Sequence, residues 1–474
     1  MFKTNYHITT AIPYVNAQPH LGHILEWFQA DAIAEYQRML GKDVSFTSGA
    51  DENSLKNVQV AEKNNVPVQN WLDEYSQIYE KAYKKFGISL TEFRRGSDQK
   101  EHWPGVQELW KLCNKKGDIY KKKYKGLYCV GCESYYSKEE LVNGKCPEHL
   151  KKPTEIEEEN YFFKLSKYQK QIKELIKNDK LLIVSEQYKK EMLGFINQGL
   201  EDFSISRTKE RARGVGVPIP DDDQVMYVWF DALTIYMTAI GWNYNLDKFN
   251  KYWPADVHVI GKGINRFHSI YWIGILLSAG LKIPKSISVH GYITADGQKM
   301  SKSLGNVIDP FTLIKKYPLE AIRFYLLAQI PTHSDGDFTV DKFKETYTAY
   351  LANGYGNLCS RIAKMCEKNT QVSVEFEPTF SEEYQKLFDK FEIHQAFQLV
   401  WKQIQKTDLY LTSSKPWELN GKEQAIILNE SVKRILSISW HLKPFMPKTA
   451  KTILQHFSSK NIPALKPLFP RLDK

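Results

Sequence analysis

Apolar positions change their spacing repeatedly along this chain, and each change marks an element. Asn5-Tyr6-His7-Ile8-Thr9-Thr10-Ala11-Ile12 reads as a strand that Pro13 breaks. Leu21, Ile24, Leu25, Phe28, Ile33, Tyr36, Met39 and Leu40 then recur at helical spacing, which predicts a helix from about Gly22 to Leu40 with Gly41 as its stop. Residues 44–47 read as a second strand. Strand, helix and strand at this spacing form a βαβ unit, which implies a parallel sheet. The strand pattern returns at Val225-Met226-Tyr227-Val228-Trp229-Phe230, at Val257-His258-Val259-Ile260 and at residues 287–293. Helical patterns cover residues 350–365, 381–411, 423–440 and 447–457, which predicts a bundle.

Between about 118 and 224 the character differs. Lys121-Lys122-Lys123, three clustered cysteines, Glu155 with Glu157-Glu158-Glu159, and then Arg211 and Arg213 follow one another. Short strands and turns fit this stretch better than long helices. A parallel α/β domain split by an insertion is the expectation. The longest apolar run, residues 270–281, is too short to span a bilayer and reads as a buried helix.

Composition adds three points. The 474 residues suggest about three domains. Hydrophobic residues at 42% and charged residues at 25% exclude a largely disordered chain. The net charge of +10 favours a polyanionic partner, and residues 346–474 hold 18 Lys/Arg against 12 Asp/Glu. The N-terminal Met1 to Tyr6 carries no signal or transit character, so a cytoplasmic location and no membrane association are expected.

Three short motifs carry chemistry. Cys129-Val130-Gly131-Cys132 and Cys146-Pro147-Glu148-His149 are separated by thirteen residues. The C-x2-C and C-x2-H knuckles supply four ligands for one tetrahedral Zn2+, a closed structural site. Gly131 suits the first knuckle, and Gly144 lies in the turn before the second. His20-Leu21-Gly22-His23 opens the first helix, where free N–H groups and the helix dipole favour phosphate. Gly297-Gln298-Lys299-Met300-Ser301-Lys302-Ser303-Leu304-Gly305 places two lysines and two hydroxyls between glycines. It is not a Walker A loop. It can still clamp a polyphosphate and offset charge on a departing pyrophosphate.

The second and third of these motifs resemble the HIGH and KMSKS signatures of class I aminoacyl-tRNA synthetases. More segments narrow the resemblance to the methionyl-tRNA synthetase family across essentially the whole chain. They are Ala11-Ile12-Pro13-Tyr14-Val15-Asn16, Phe203-Ser204-Ile205-Ser206-Arg207, Tyr227-Val228-Trp229-Phe230-Asp231-Ala232, residues 264–268, and Asn357-Leu358 with Arg361. The resemblance implies a Rossmann-like parallel-sheet α/β catalytic domain split by a zinc-knuckle insertion, plus a C-terminal α-helical bundle. The implied segments are 1–117 and 225–295 for the two halves of the nucleotide-binding fold and 118–224 for the insertion. Residues 296–346 would form the KMSKS-loop stem-contact region, and 347–474 the anticodon-binding domain.

The resemblance further implies ligation of L-methionine to tRNA(Met) through a methionyl-adenylate made from ATP with Mg2+. It gives catalytic roles to His20, His23, Lys299 and Lys302, with Gly22 and Ser301 also at ATP. Asp51 pairs with the substrate ammonium. Ile12, Tyr14, Trp229, Ala232, Leu233, Tyr236, Ile264 and His268 form the side-chain pocket, whose aromatic walls suit a thioether. Asn357, Arg361 and Trp417 contact the anticodon, where a Trp can stack on an unpaired base.

The chain departs from the family pattern at several places. Asp51-Glu52-Asn53-Ser54 stands for the usual D-E-H-G, and Gly263 replaces an acid in G-K-D-I. Leu233 replaces a common proline, and residues 211–220 lack W-G-I-P. The 118–224 insertion is too short for a large editing domain. The chain stops soon after the bundle, so a monomer without the extra C-terminal tRNA-binding module is expected. Two alternatives stay open: a class I synthetase for another amino acid, and a catalytically inactive tRNA-binding paralogue.

Overall fold

The computed structural model describes residues 4–131, 134–136, 138–148, 150–299, 308–369 and 371–472. The chain forms two compact units, one from residues 1–19 and 41–290 and one from 20–40 and 291–474.

The first unit is built on a six-stranded sheet. Its strands are β1 (Asn5–Thr10), β2 (Asp43–Ala50), β3 (Glu92–Arg95), β7 (Leu182–Val184), β11 (Val257–Gly261) and β12 (Ser286–His290). They are ordered β3-β2-β1-β11-β12-β7, and every pair is parallel. Parallel strands are covered on both faces, and β12 is accordingly buried at every position. From β1 the chain builds outward to β2 on one side and to β11 on the other. That reversal of strand order lies between β1 and β11, where ligands of open α/β sheets bind, beyond the strand C-termini.

The basic and acidic runs of the 118–224 stretch find each other. They form β4 (Ile119–Cys129) and β6 (Thr154–Phe163), antiparallel strands with Lys123 opposite Glu159 and Lys125 opposite Glu157. Opposite charges facing across a ladder support the pairing. β5 (Ser134–Tyr136) and β8 (Phe203–Ser204) complete this sheet. The stretch also holds helices Gln169–Lys177 and Glu186–Asn197, which the expectation of short strands and turns missed. Between them β7 pairs with β12 of the main sheet.

A second correction concerns residues 225–230. Only Gln224–Met226 is a strand, β10, paired with β9 (Ser206–Thr208). Val228–Thr238 is a helix, so Trp229 and Phe230 lie on its first turn. A short apolar run has no periodicity to separate strand from buried helix, and burial of ten of the eleven helix residues explains the ambiguity.

The second unit contains helix Leu21–Met39, a small sheet and a helical bundle. The sheet joins β13 (Ile293–Ala295), β14 (Gln298–Lys299) and β15 (Gly336–Asp337) in the order β14-β13-β15. The helix expected over residues 381–411 is two helices, Glu382–Asp389 and Ile393–Ser414. Phe391 between them has φ of 58°, a left-handed conformation that no helix continues through.

One buried cation ties this unit together. Arg323, on helix Leu319–Ala328, bonds Asp31 Oδ2 at 2.5 Å, the Pro444 carbonyl at 2.7 Å and the Phe445 carbonyl at 3.1 Å. Asp31 is 1% and Arg323 2% exposed, so removing one partner strands a desolvated charge. Arg323→Ala is expected to cost about 3–5 kcal/mol, the range for a broken buried ion pair. Urea unfolding of wild type and variant checks this; a loss under about 1 kcal/mol, typical of a surface pair, would contradict it.

Candidate functional site

Residues expected from the sequence to form the amino-acid pocket follow the C-terminal ends of β1, β2 and β11. Ile12 and Tyr14 follow β1, Asp51 follows β2, and Ile264 and His268 follow β11. Tyr14 and Asp51 form a parallel bridge, and Asp51 N–H donates to the Pro13 carbonyl at 2.9 Å. Ile12, Tyr14, Trp229 and Ile264 are half-buried over a core cluster that includes Leu233 and Tyr236. Ala232 is buried on the same helix as Trp229, Leu233 and Tyr236.

The polar contacts within the pocket are specific. His268 sits in a π-helical turn, Phe267–Tyr271, of the kind often found at functional sites. Its Nδ1 lies 2.9 Å from the Ile264 carbonyl and therefore donates. Its Nε2 then accepts from Tyr236 Oη at 2.8 Å. Burial pushes the His268 pKa down to about 4, so the ring is neutral at neutral pH. Trp229 stacks on Phe267 with centroids 4.0 Å apart and meets His268 edge-on at 6.2 Å. The Trp229 Nε1 donor is buried without a hydrogen-bond partner.

Leu233 is buried in the interior of helix Val228–Thr238, and Gly263 is exposed in the 3-10 turn Lys262–Ile264. Asn53 is buried and hydrogen-bonded.

In the other unit, His20 and His23 form a reciprocal cap on helix Leu21–Met39. His20 Nδ1 accepts from the N–H groups of Gly22 at 3.1 Å and His23 at 3.4 Å. His23 Nδ1 accepts from His20 N–H at 3.2 Å, and the rings stack with centroids 3.8 Å apart. A neutral ring that accepts at Nδ1 carries its proton on Nε2. Each imidazole thus offers an N–H donor at the positive helix end. His20 is exposed, and desolvation of its ring pushes its pKa down to about 4. The two accepted N–H bonds are the firmer reason for its neutrality. Gly22 has a local role: a Cβ there would lie 3.0 Å from His20 Cε1.

Of the lysine-serine loop, Lys299 is the last residue of β14, while Ser301 and Lys302 lie outside the described residues. Asp337 anchors the approach, accepting from Gly297 N–H at 2.8 Å and Thr294 Oγ1 at 2.9 Å. Of the knuckle ligands, Cys132 and His149 lie outside the described residues. Cys129 and Cys146 are buried in one cluster with Tyr136, and Leu141 packs against it. Asn143 and Gly144 take positive φ in the turn before Cys146. Among the described residues no group of three potential ligands forms a metal centre.

In the bundle, Asn357 and Arg361 lie one turn apart on helix Asn357–Cys366. Arg361 pairs with Asp408 at 2.8 Å in a solvent-exposed contact, the kind worth at most about 1 kcal/mol and easily exchanged. Trp417 is 50% exposed in the turn Pro416–Glu418, which Gln424 holds by donating to the Pro416 carbonyl at 2.9 Å. No helix among the described residues is long and apolar enough to cross a membrane.

The parallel α/β sheet, the HxGH motif capping a helix and the KMSKS motif of the sequence define a class I aminoacyl-tRNA synthetase. The family model described as tRNA synthetases class I (M) matches residues 6–155 and 149–363, and the chain belongs to that family. The methionine–tRNA ligase of Thermotoga maritima is 37% identical over 97% of this chain and 76% of its own length. That of Brucella suis is 34% identical over 99% of this chain and 98% of its own. A structure of Mycobacterium tuberculosis methionyl-tRNA synthetase in complex with methionyl-adenylate superposes with a TM-score of 0.91 at 32% identity, covering 99% of this chain and 100% of that one.

His268 makes stability depend on pH. An unfolded histidine titrates near 6.5, whereas the folded ring stays neutral down to about 4. As pH falls the unfolded state binds the proton first, so the contribution is complete above pH 6.5 and is lost between 6.5 and about 4. The loss is about 3 kcal/mol for that interval. Urea unfolding at pH 7.5 and 4.5 is expected to show a smaller pH difference for His268→Gln than for wild type; an equal difference would contradict this.

Proposed function

We infer that this chain is an ATP-dependent methionine–tRNA ligase. It activates L-methionine to methionyl-adenylate with release of diphosphate, then transfers it to the 3′-terminal adenosine of tRNA(Met). The observation that carries this reading is the pocket of Tyr14, Asp51, Trp229, Tyr236 and His268 in a chain of this family. Its aromatic walls suit a thioether, and its Asp suits an ammonium group.

The methionine carboxylate is already ionised and attacks the α-phosphate of ATP. No protein nucleophile is needed, so the enzyme supplies alignment and positive charge. The Nε2–H groups of His20 and His23 donate to phosphate oxygens. Lys299, Ser301 and Lys302 hold the departing diphosphate, with Mg2+ accompanying ATP. Asn357, Arg361 and Trp417 contact the anticodon, with the guanidinium exchanging Asp408 for a base edge. We read the protein as cytoplasmic and monomeric.

Cys129, Cys132, Cys146 and His149 would hold one Zn2+. Two buried thiols converging beside a tight turn fit such a site. Zinc would supply a cross-link between the knuckles, without touching the reacting atoms. Elemental analysis is expected to find one zinc per chain, and Cys146→Ser to abolish it; stoichiometric zinc retained in that variant would refute the ligand set.

Amino-acid-dependent ATP–diphosphate exchange tests the function. Methionine is expected to support exchange above the other nineteen amino acids. Lys302→Ala should depress the exchange rate at least tenfold with less effect on methionine affinity. Trp417→Ala should weaken aminoacylation of tRNA while sparing exchange. Preference for another amino acid, or no exchange with any, would establish one of the two alternatives.

A further inference from the structure

The segment Asp51-Glu52-Asn53-Ser54 departs from its family pattern, and the structure shows what Asn53 does instead. Asn53 Nδ2 donates to the Gly96 carbonyl at 2.9 Å and to Asp231 Oδ2 at 2.6 Å. An amide nitrogen has two protons, so both are used. Asp231 Oδ1 lies 2.6 Å from His102 Nε2, and His102 Nδ1 lies 2.8 Å from Thr238 Oγ1. Asp231, His102 and Thr238 are each at most 1% exposed, and Asn53 is 9% exposed.

This network joins two parts of the amino-acid pocket. Asn53 lies two residues beyond Asp51. Asp231 lies on helix Val228–Thr238, between Trp229 and the Ala232, Leu233 and Tyr236 positions. Neighbouring groups hold the rest of the loop. Glu52 accepts from Ser76 at 2.6 Å, from Arg95 Nη2 at 2.6 Å and from Ser97 N–H at 2.9 Å. Asn57 donates to the Asp51 carbonyl at 2.9 Å. These contacts bind the loop to β3, to helix Val68–Lys85 and to helix Leu55–Lys63. Asn53 links the loop to the pocket helix through Asp231.

We propose that Asn53 is a positioning residue for methionine, setting the separation of the Asp51 carboxylate from the Trp229–Tyr236 pocket through its hydrogen bond to Asp231. The proposal rests on the reading of that pocket as the methionine site. A substrate held at both its ammonium and its thioether senses that separation directly, whereas ATP does not.

Diphosphate exchange with Asn53→Ala and Asp231→Ala tests it. Asn53→Ala is expected to raise the methionine KM about tenfold, with kcat and the ATP KM within twofold of wild type. The double variant should raise the methionine KM no further than the worse single variant, because both break the same Asn53–Asp231 bond. Asn53→Ser keeps a donor hydroxyl and should restore part of the methionine KM, and it replaces Asn53→Ala if that variant does not fold. Parallel rises in both KM values with a lowered Tm, or multiplicative effects in the double variant, would overturn the proposal. Absence of methionine-dependent exchange in wild type would instead overturn the functional reading beneath it.

Discussion

Parallel strands leave their C-terminal ends along one edge of a sheet, and a sheet built outward in both directions from its first strand leaves a crevice at the reversal. In this protein the crevice lies beyond β1 and β11, with β2 alongside. The residues that follow those three strands are distant in sequence, yet they lie together at one edge of the sheet. Helix Val228–Thr238 adds the remaining wall, and the π-helical turn after β11 places His268 against Tyr236. Trp229, Tyr236 and the neutral His268 imidazole thereby pack together, with the Tyr14–Asp51 bridge at the ends of β1 and β2.

The second unit works by a different constraint. Its leading helix presents two imidazoles whose Nδ1 atoms are committed to the helix N-terminus, so the outward nitrogens are donors. The same helix is pinned by Asp31 to Arg323, which also donates to the carbonyls of Pro444 and Phe445. Arg323 thus joins helix Leu21–Met39 to the turn between helices Gly421–Leu442 and Pro447–Phe457. Charge elsewhere in the chain is used more cheaply: Lys123 and Lys125 face Glu159 and Glu157 across a ladder.

Much of this was legible in the sequence, and the reason is locality. HxGH is legible because both rings cap the same helix end within one turn. The lysine-serine loop and the C-x2-C knuckle are legible because their chemistry sits on neighbours in the chain. The strands before Pro13, at 257–260 and at 287–290 were readable from β-branched runs. Residues 225–230 were not, because an apolar run of that length is compatible with a buried helix. The break at Phe391 was not, because helical spacing continues on both sides of it.

By itself the sequence determined the class of chemistry, the parallel-sheet architecture and the helical C-terminal part. Only the tertiary structure decided how the buried polar side chains are held. Asn53 meets Asp231 across 178 residues, His102 meets it across 129, and Arg323 meets Asp31 across 292. None of these pairs has a spacing signature, since a contact between separate elements depends on packing rather than on periodicity. Burial then sets their energetic weight, because a polar group removed from water must find its partner wherever the fold has put it.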